Sequence, residues 1–298
     1  LGESLTLHRA LGNKRGVASV LLHMAETLFD SQGDQAIVCT MLEEGLVLFK
    51  ELGDKDGIAA SCLLWGQVAL RQGDKIKACS LLEESIRLYR EMGYRWGIAE
   101  SLYFLARVAA FQDSDTTAQT IYEESLAIAR EMNHKELVAS CLEGLAGVVA
   151  TQGTFVWAAQ LWGAAETLRE AVGAPIPPIN YADYKRSVAN VCTQLGEKVF
   201  AATWAWGRTM TPEQALAMQG REVEPPPTKA ETTYPARLTT REVGVLRLVV
   251  KGLTNAEIAG ELGLSEKTIA HHLTNIFNKT TSENRAAAAA FAIRNGLA

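Results

Sequence analysis

The chain has 298 residues, 48% of them hydrophobic and 21% charged, with a formal net charge of −5. That is room for two domains of the usual ~100–200 residues, and the composition is that of a globular protein rather than a disordered or fibrous one. No apolar run reaches the ~18–20 residues of a membrane span, and no basic-then-apolar leader opens the chain, so a cytoplasmic protein with no membrane partner is expected. The five cysteines (Cys39, Cys62, Cys79, Cys141 and Cys192) are scattered, without a CxxC pair. Buried free thiols, and no metal or other cofactor, are expected from that spacing. Charge is spread unevenly: residues 238–298 hold seven Lys/Arg against five Asp/Glu, a balance of +2 that leaves −7 for residues 1–237. The asymmetry favours a small nucleic-acid module on an acidic body.

From the first residues, landmarks recur with a step of 40. Gln32-Gly33-Asp34 returns as Gln72-Gly73-Asp74, Gln112-Asp113-Ser114 and Gln152-Gly153-Thr154. In phase with it, the stretch from Leu52 to Ala59 matches Met92 to Ala99, with an earlier copy at Leu11 to Ala18, displaced by 41, and a degenerate one at Met132 to Ala139. Each unit reads as two helices. In the second unit the first helix is predicted over about Gly57 to Leu70, with Ile58, Cys62, Trp65 and Ala69 on one face. Gln72-Gly73-Asp74 breaks it, glycine closing one helix and aspartate capping the next. The second helix is predicted over about Lys75 to Glu91, with Ala78, Leu82, Ile86 and Tyr89 inward. All eight prolines lie at 175 or later, so none interrupts residues 1–174. Gly66, Ala69, Ala78, Leu82 and Ser85, repeated as Ala106, Ala109, Ala118, Tyr122 and Ser125, fall at the packing offsets of the tetratricopeptide repeat. The array resembles that family in a form extended to 40 residues, in which stacking of neighbours supplies the core. Residues 3–12 match the end of a second helix, so the chain is expected to begin inside a repeat, as a fragment of a longer protein.

After Thr154 the repeat decays, and residues 155–219 are expected to cap the array of 1–154. Phe155 to Val172 reads as a helix carrying Trp157, Leu161, Trp162, Ala165 and Leu168. Tyr181 to Trp206 reads as one long helix or two short ones with a break at Leu195-Gly196, and Thr211-Pro212-Glu213-Gln214 opens another. Tryptophans at this spacing suit helix packing better than a ligand cage. The wording from Leu161-Trp162-Gly163 to Ala202-Thr203-Trp204 resembles the segment before the DNA-binding domain in large ATP-dependent LuxR-type regulators. Residues 220–237, with Pro225, Pro226, Pro227 and Pro235, read as a semi-extended linker.

Residues 238–298 read as four helices. The first covers about Thr240 to Val250 and stops at Gly252. Thr254-Asn255-Ala256-Glu257 is a capping box for a short helix ending near Leu262. Gly263-Leu264 makes a tight turn, Ser265 caps a helix over about Glu266 to Lys279, and a last helix runs from Arg285 to Asn295. A short helix, a glycine turn and a longer helix form a helix-turn-helix, whose second helix enters the major groove. Ile258, Leu262, Leu264, Ile269, Leu273 and Ile276 are expected to hold the pair together. The stretches Leu238-Thr239-Thr240-Arg241-Glu242, Gly252 to Ala259, Leu264 to Ile269 and His272 to Ile276 resemble the LuxR-type DNA-binding domain without a gap. The resemblance implies base-edge contacts from Ala270, His271 and Thr274. It implies phosphate contacts from Asn255, Ser265, Lys267, Thr268, Asn275 and Lys279, which fix register without reading sequence. It also implies a dimer on DNA, with the alanine run Ala286 to Ala290 as a dimer face or as plain helix. Two departures stand out: Ala270 replaces a residue usually basic, and Thr274 one often basic, which reduces the electrostatic contribution to affinity; and Thr280-Thr281-Ser282-Glu283-Asn284-Arg285 replaces a stretch built around Leu-Gly-Val and a basic residue. His271 and His272 point about 100° apart on a helix, which argues against a metal pair.

The sequence lacks a GxxxxGK[ST] loop, a G-x-S-x-G elbow and an HExxH signature, so no enzyme is expected. The fold class expected is all-α: a tetratricopeptide-like α-solenoid followed by a four-helix LuxR-type helix-turn-helix domain. The function expected is a bacterial transcription regulator that binds double-stranded promoter DNA, with a protein or small-molecule effector on the repeats and RNA polymerase as a further partner. The alternative is an interaction scaffold with a degenerate helix-turn-helix.

Overall fold

The computed structural model describes residues 2–112, 114–220, 234–262 and 266–297, apart from the side chains of 178, 179, 237, 240, 267 and 271. The chain divides into two compact units, Leu1–Val223 and Glu224–Ala298. Most of the expected linker, 221–233, lies outside the described residues.

The first unit contains α1 (Gly2–Ala10), α2 (Lys14–Asp30), α3 (Gln35–Leu52), α4 (Lys55–Gln72), α5 (Lys75–Met92), α6 (Arg95–Ala110), α7 (Asp115–Glu131), α8 (Lys135–Thr151) and α9 (Phe155–Val172), each packed on the next. The breaks fall at the 40-residue landmarks. Gly53, Gly73 and Gly93 close α3, α4 and α5 with φ of 64°, 78° and 69°, a left-handed conformation that costs little without a Cβ. Asp34, Asp54 and Asp74 open the same three helices by accepting from the N–H groups of Ala36, Gly57 and Lys77, which satisfies donors that the helix itself cannot.

The repetition extends to individual contacts. The hydroxyl of Ser85 donates to the Ala59 carbonyl at 2.9 Å, and that of Ser125 donates to the Ala99 carbonyl at 2.7 Å. Lys14–Glu51, Lys55–Glu91 and Arg95–Glu131 are one ion pair repeated three times, from the start of one helix to the end of the next. These pairs are exposed and contribute little each, so burial holds the stack. The small residues Gly66, Ala69, Ala78, Ala106, Ala109 and Ala118 are all buried. Because α2, α4, α6 and α8 also touch one another in series, they form an inner layer. That explains a difference from the single face read for α4. Ile58 and Trp65 are only half-buried, whereas Ala59, Leu63, Leu64 and Val68 are buried, because a helix flanked on both sides buries more than one stripe.

The end of the first unit holds α10 (Pro178–Leu195), α11 (Glu197–Gly207) and α12 (Pro212–Leu216). Gly196, at φ 77°, separates α10 from α11, so the long segment is two helices. Helices α9 and α11 meet at two glycines. A Cβ on Gly163 would lie 2.3 Å from the Trp204 carbonyl oxygen, and one on Gly207 would lie 2.3 Å from that of Gln160. Trp157 and Trp162 are buried and Trp204 is half-buried: Trp157 donates to the Ala215 carbonyl at 2.8 Å, Trp204 to Glu166 at 2.7 Å, and Trp162 stacks on Trp204. All five cysteines are free thiols, and burial pushes Cys62 up to about 11 and Cys141 up to about 12. Among the described residues no cluster of His, Cys, Asp and Glu could hold a metal ion, and no helix is long and apolar enough to cross a membrane.

Candidate nucleic-acid interface

The second unit holds α13 (Thr240–Val250), α14 (Asn255–Leu262), α15 (Glu266–Thr280) and α16 (Arg285–Arg294). Local chemistry sets each start. The Thr239 N–H donates to Glu242 at 2.8 Å, and the Glu242 N–H donates back to the Thr239 hydroxyl at 3.2 Å. Thr254 and Glu257 repeat this capping box with distances of 2.7 and 3.3 Å. Asn284 opens α16 by accepting from the Ala287 N–H at 2.9 Å. Gly263, Leu264 and Ser265, expected to form the turn and a phosphate contact, lie outside the described residues.

The four helices close over Val245, Leu246, Ile258, Ile269, Leu273, Ile276, Ala288 and Ala292, all buried in one cluster. Helix α15 therefore spends its Ile269/Leu273/Ile276 face on the core. The opposite stripe, Ala270 and Thr274, is exposed. These are the positions expected to meet base edges. The Thr274 hydroxyl donates to the Ala270 carbonyl at 3.0 Å, which leaves its oxygen able to accept. Asn255, Thr268 and Asn275 are half-buried beside that stripe or at the start of α14. The side chains of Lys267 and His271 are not among those described.

Lys279 has a role the sequence did not reveal. Its ammonium lies 2.8 Å from Glu242, whose side chain is only 4% exposed. Burial disfavours the Glu242 carboxylate, but the bonds from Lys279 and Thr239 outweigh it and hold the group below its usual range. The pair ties the end of α15 to the start of α13. Arg285 acts similarly at the other end: it donates to the Asn255 side-chain oxygen at 2.9 Å and also to the Leu253 carbonyl, joining the start of α16 to the start of α14. Glu242 was legible as the carboxylate three residues after a helix-opening threonine. Its partner, 37 residues on, was not.

The substituted stretch after α15 is accommodated. Thr280 is buried, yet its hydroxyl donates to the Ile276 carbonyl at 2.7 Å and lies 2.8 Å from the Ser282 hydroxyl. Thr281, standing where glycine is usual, keeps a left-handed φ of 51°, a conformation that costs an L residue about 1–2 kcal/mol.

Residues 236–292 match the family of bacterial regulatory proteins of the luxR type. Over 141 residues the chain is 33% identical to proteins of Mycobacterium bovis and Mycobacterium tuberculosis that are named as HTH-type transcriptional regulators; the match covers 46% of this chain and 15% of theirs. It is 45% identical over 60 residues to the transcriptional regulatory protein LiaR of Bacillus subtilis, covering 20% of this chain and 28% of that one. The chain thus spans a small part of the mycobacterial relatives it matches.

Proposed function

We propose that this chain, whose C-terminal unit is a LuxR-family helix-turn-helix domain, is the promoter-binding end of a bacterial transcription regulator that acts in the cytoplasm, with a repeat array that senses an effector or partner. The observation that carries the reading is the division of α15 into a buried Ile269/Leu273/Ile276 face and an exposed Ala270/Thr274 stripe, within a domain matched across all four helices. In this reading Ala270, His271 and Thr274 meet base edges in the major groove. Asn255, Ser265, Lys267, Thr268 and Asn275 meet phosphates and set the docking register. Lys279 first serves Glu242, and any phosphate contact it makes is secondary. Two copies bind a two-fold site, and RNA polymerase is the partner next on the promoter.

The test is selection of bound duplexes from a random pool with the 298-residue chain. The reading expects an enriched, roughly palindromic motif whose affinity falls with salt. His271→Ala should change the preferred sequence, and Lys267→Ala should weaken all sequences alike. No enrichment from a chain that is folded by circular dichroism would sink the reading and leave an interaction scaffold.

A further inference from the structure

Arginines in the first unit follow a rule with two exceptions. Arg9, Arg15, Arg87, Arg90, Arg95, Arg130, Arg169, Arg186 and Arg208 each form an ion pair with an Asp or Glu. Among the described residues Arg71 and Arg107 are the two without one. Both are half-buried, and both line one cavity of about 600 Å³ on the inner layer formed by α2, α4, α6 and α8. Arg71 donates to the Phe29 carbonyl at 3.1 Å, and its guanidinium carbon sits 3.6 Å above the Phe29 ring. Its Nε is buried with no partner. Arg107 lies near the rings of Tyr103 and Phe104, at 5.9 and 5.8 Å.

Two guanidinium groups in one recess repel each other. Burial pushes the Arg71 guanidinium below its ordinary value; Asp30 opposes that, and the charge of Arg107 adds to it by a smaller amount. Like charges partly out of water call for a counter-charge. The acids on the same walls supply little of it. Asp183 is paired with Arg186 at 2.7 Å, and Glu136 faces Arg169 at 3.9 Å. Glu100 is pushed up to about 7 by burial and then by Glu26, which leaves Asp30. Beside the two cations the walls are aromatic, with Phe29, Trp96 and Phe104. The volume lies in the ~300–1,000 Å³ range of small-molecule sites, which pair apolar walls with a few placed polar groups. Guanidinium is suited to bidentate capture of carboxylate or phosphate.

We infer that the inner-layer cavity binds a small organic anion, a carboxylate or phosphate head on an aromatic or apolar body, with Arg71 and Arg107 as its anchors. The inference rests on the reading of the repeat array as the sensing part, and it names the chemistry sensed. A head between the two arginines removes their repulsion, and the body covers Phe29, Trp96 and Phe104.

The test is calorimetric titration of the 298-residue chain with 1-naphthoate, 1-naphthyl phosphate, the uncharged 1-naphthamide and inorganic phosphate. The expected result is saturable binding of one equivalent of at least one aromatic anion; whichever aromatic anion binds tighter identifies the head group. Naphthamide and inorganic phosphate should each bind at least about tenfold more weakly. Arg71→Gln and Arg107→Gln should weaken the anion at least about tenfold, and Arg107→Lys, which keeps the charge but not the fork, should fall between. Equal binding of naphthamide, unchanged binding by folded Gln variants, or no saturation by either aromatic anion up to about 10 mM would each overturn the inference. Duplex selection on the same samples separates the failures. Lost anion binding with intact DNA binding removes the cavity assignment alone, and lost DNA binding removes the regulator reading while the titration still decides the cavity.

Discussion

Lys279→Ala separates a phosphate contact from an internal counter-ion. The substitution leaves Glu242 with the Thr239 N–H but without its cation. Breaking a fully buried ion pair costs about 3–5 kcal/mol. Lys279 is 36% exposed, so solvent compensates part of that, and the expected loss is about 1–2 kcal/mol. Hydrogen exchange of the 298-residue chain is the assay, because the second unit contributes none of the tryptophans, which lie at 65, 96, 157, 162, 204 and 206. Protection of α13 and α15 should fall about tenfold, the equivalent of about 1.4 kcal/mol. Adding Glu242→Gln should restore part of it by removing the stranded charge. The direction with pH is fixed. Glu242 is held below its ordinary value of 4.5, so the pair's stabilisation is present above that pH and is lost as pH falls through the lower, folded value. The Lys279→Ala penalty should therefore be full at pH 7 and shrink in acid. Unchanged protection, with affinity for every duplex reduced alike, would show that the ammonium serves phosphate and refute the internal role.

Three further outcomes follow from the geometry. Gly163→Ala should cost about 1–3 kcal/mol, because its Cβ would meet a backbone carbonyl at 2.3 Å and α11 must lift; Gly147→Ala, on the neighbouring helix α8 but with nothing within 4 Å, should instead be neutral or stabilise by up to about 1 kcal/mol, and urea unfolding followed by tryptophan fluorescence reads both. Glu100, raised from 4.5 to about 7, keeps its proton in the folded chain across that window, so the chain loses stability as pH rises through it; Glu100→Gln should stabilise at pH 8, by about 3 kcal/mol at most, and have little effect at pH 4, and equal effects at both would show an unshifted carboxyl. Thr281→Gly should stabilise the second unit by up to about 1 kcal/mol by relieving the left-handed backbone at φ 51°, whereas Thr281→Ala should not, and exchange of α15 and α16 amides checks the pair.

The elements were legible where local chemistry writes them. Gln72-Gly73-Asp74 combines a left-handed closing residue with a capping carboxylate, and the structure breaks the chain there. Phe155–Val172 and Thr240–Val250 were read to the residue, since glycine or a threonine cap bounds them. In the interface, the spacing of Ile269, Leu273 and Ile276 marks the buried face of α15, whereas Ala270 and Thr274 on the exposed face were implied by the resemblance to the LuxR-type domain. What could not be read was pairing between distant residues. Nothing local marks Lys279 as the partner of Glu242, or Arg285 as the anchor of Asn255, because those contacts depend on how four helices close. The breadth of burial on α4 was missed for the same reason, since periodicity shows one face and the second neighbour supplies the other. The unpaired state of Arg71 and Arg107 is likewise a property of the stack: acids sit within four residues of many arginines in this chain, and only the fold shows which ones they reach.

Most of the cations of the second unit whose side chains are described are tied up within the domain. Of the seven Lys/Arg between 238 and 298, Lys279 neutralises Glu242. Arg241 donates to the Leu262 carbonyl, Arg247 to the Leu297 carbonyl, and Arg285 to Asn255 and Leu253. These guanidinium groups keep their charge, but their positions are set by the domain and not by a phosphate. Among the described side chains Lys251 and Arg294 remain, the Lys267 side chain lies outside them, and Ala270 contributes no charge at the centre of the exposed stripe. Each neutralised phosphate adds one step of counterion release, so a single copy gains few. In the proposed docking, neutral donors such as Asn255, Thr268 and Asn275 would carry more of the contact, through bonds to phosphate that are directional and weak individually. Directional contacts place a recognition helix well but hold it loosely, and the two-fold arrangement proposed for this chain would double them and so turn accurate placement into affinity.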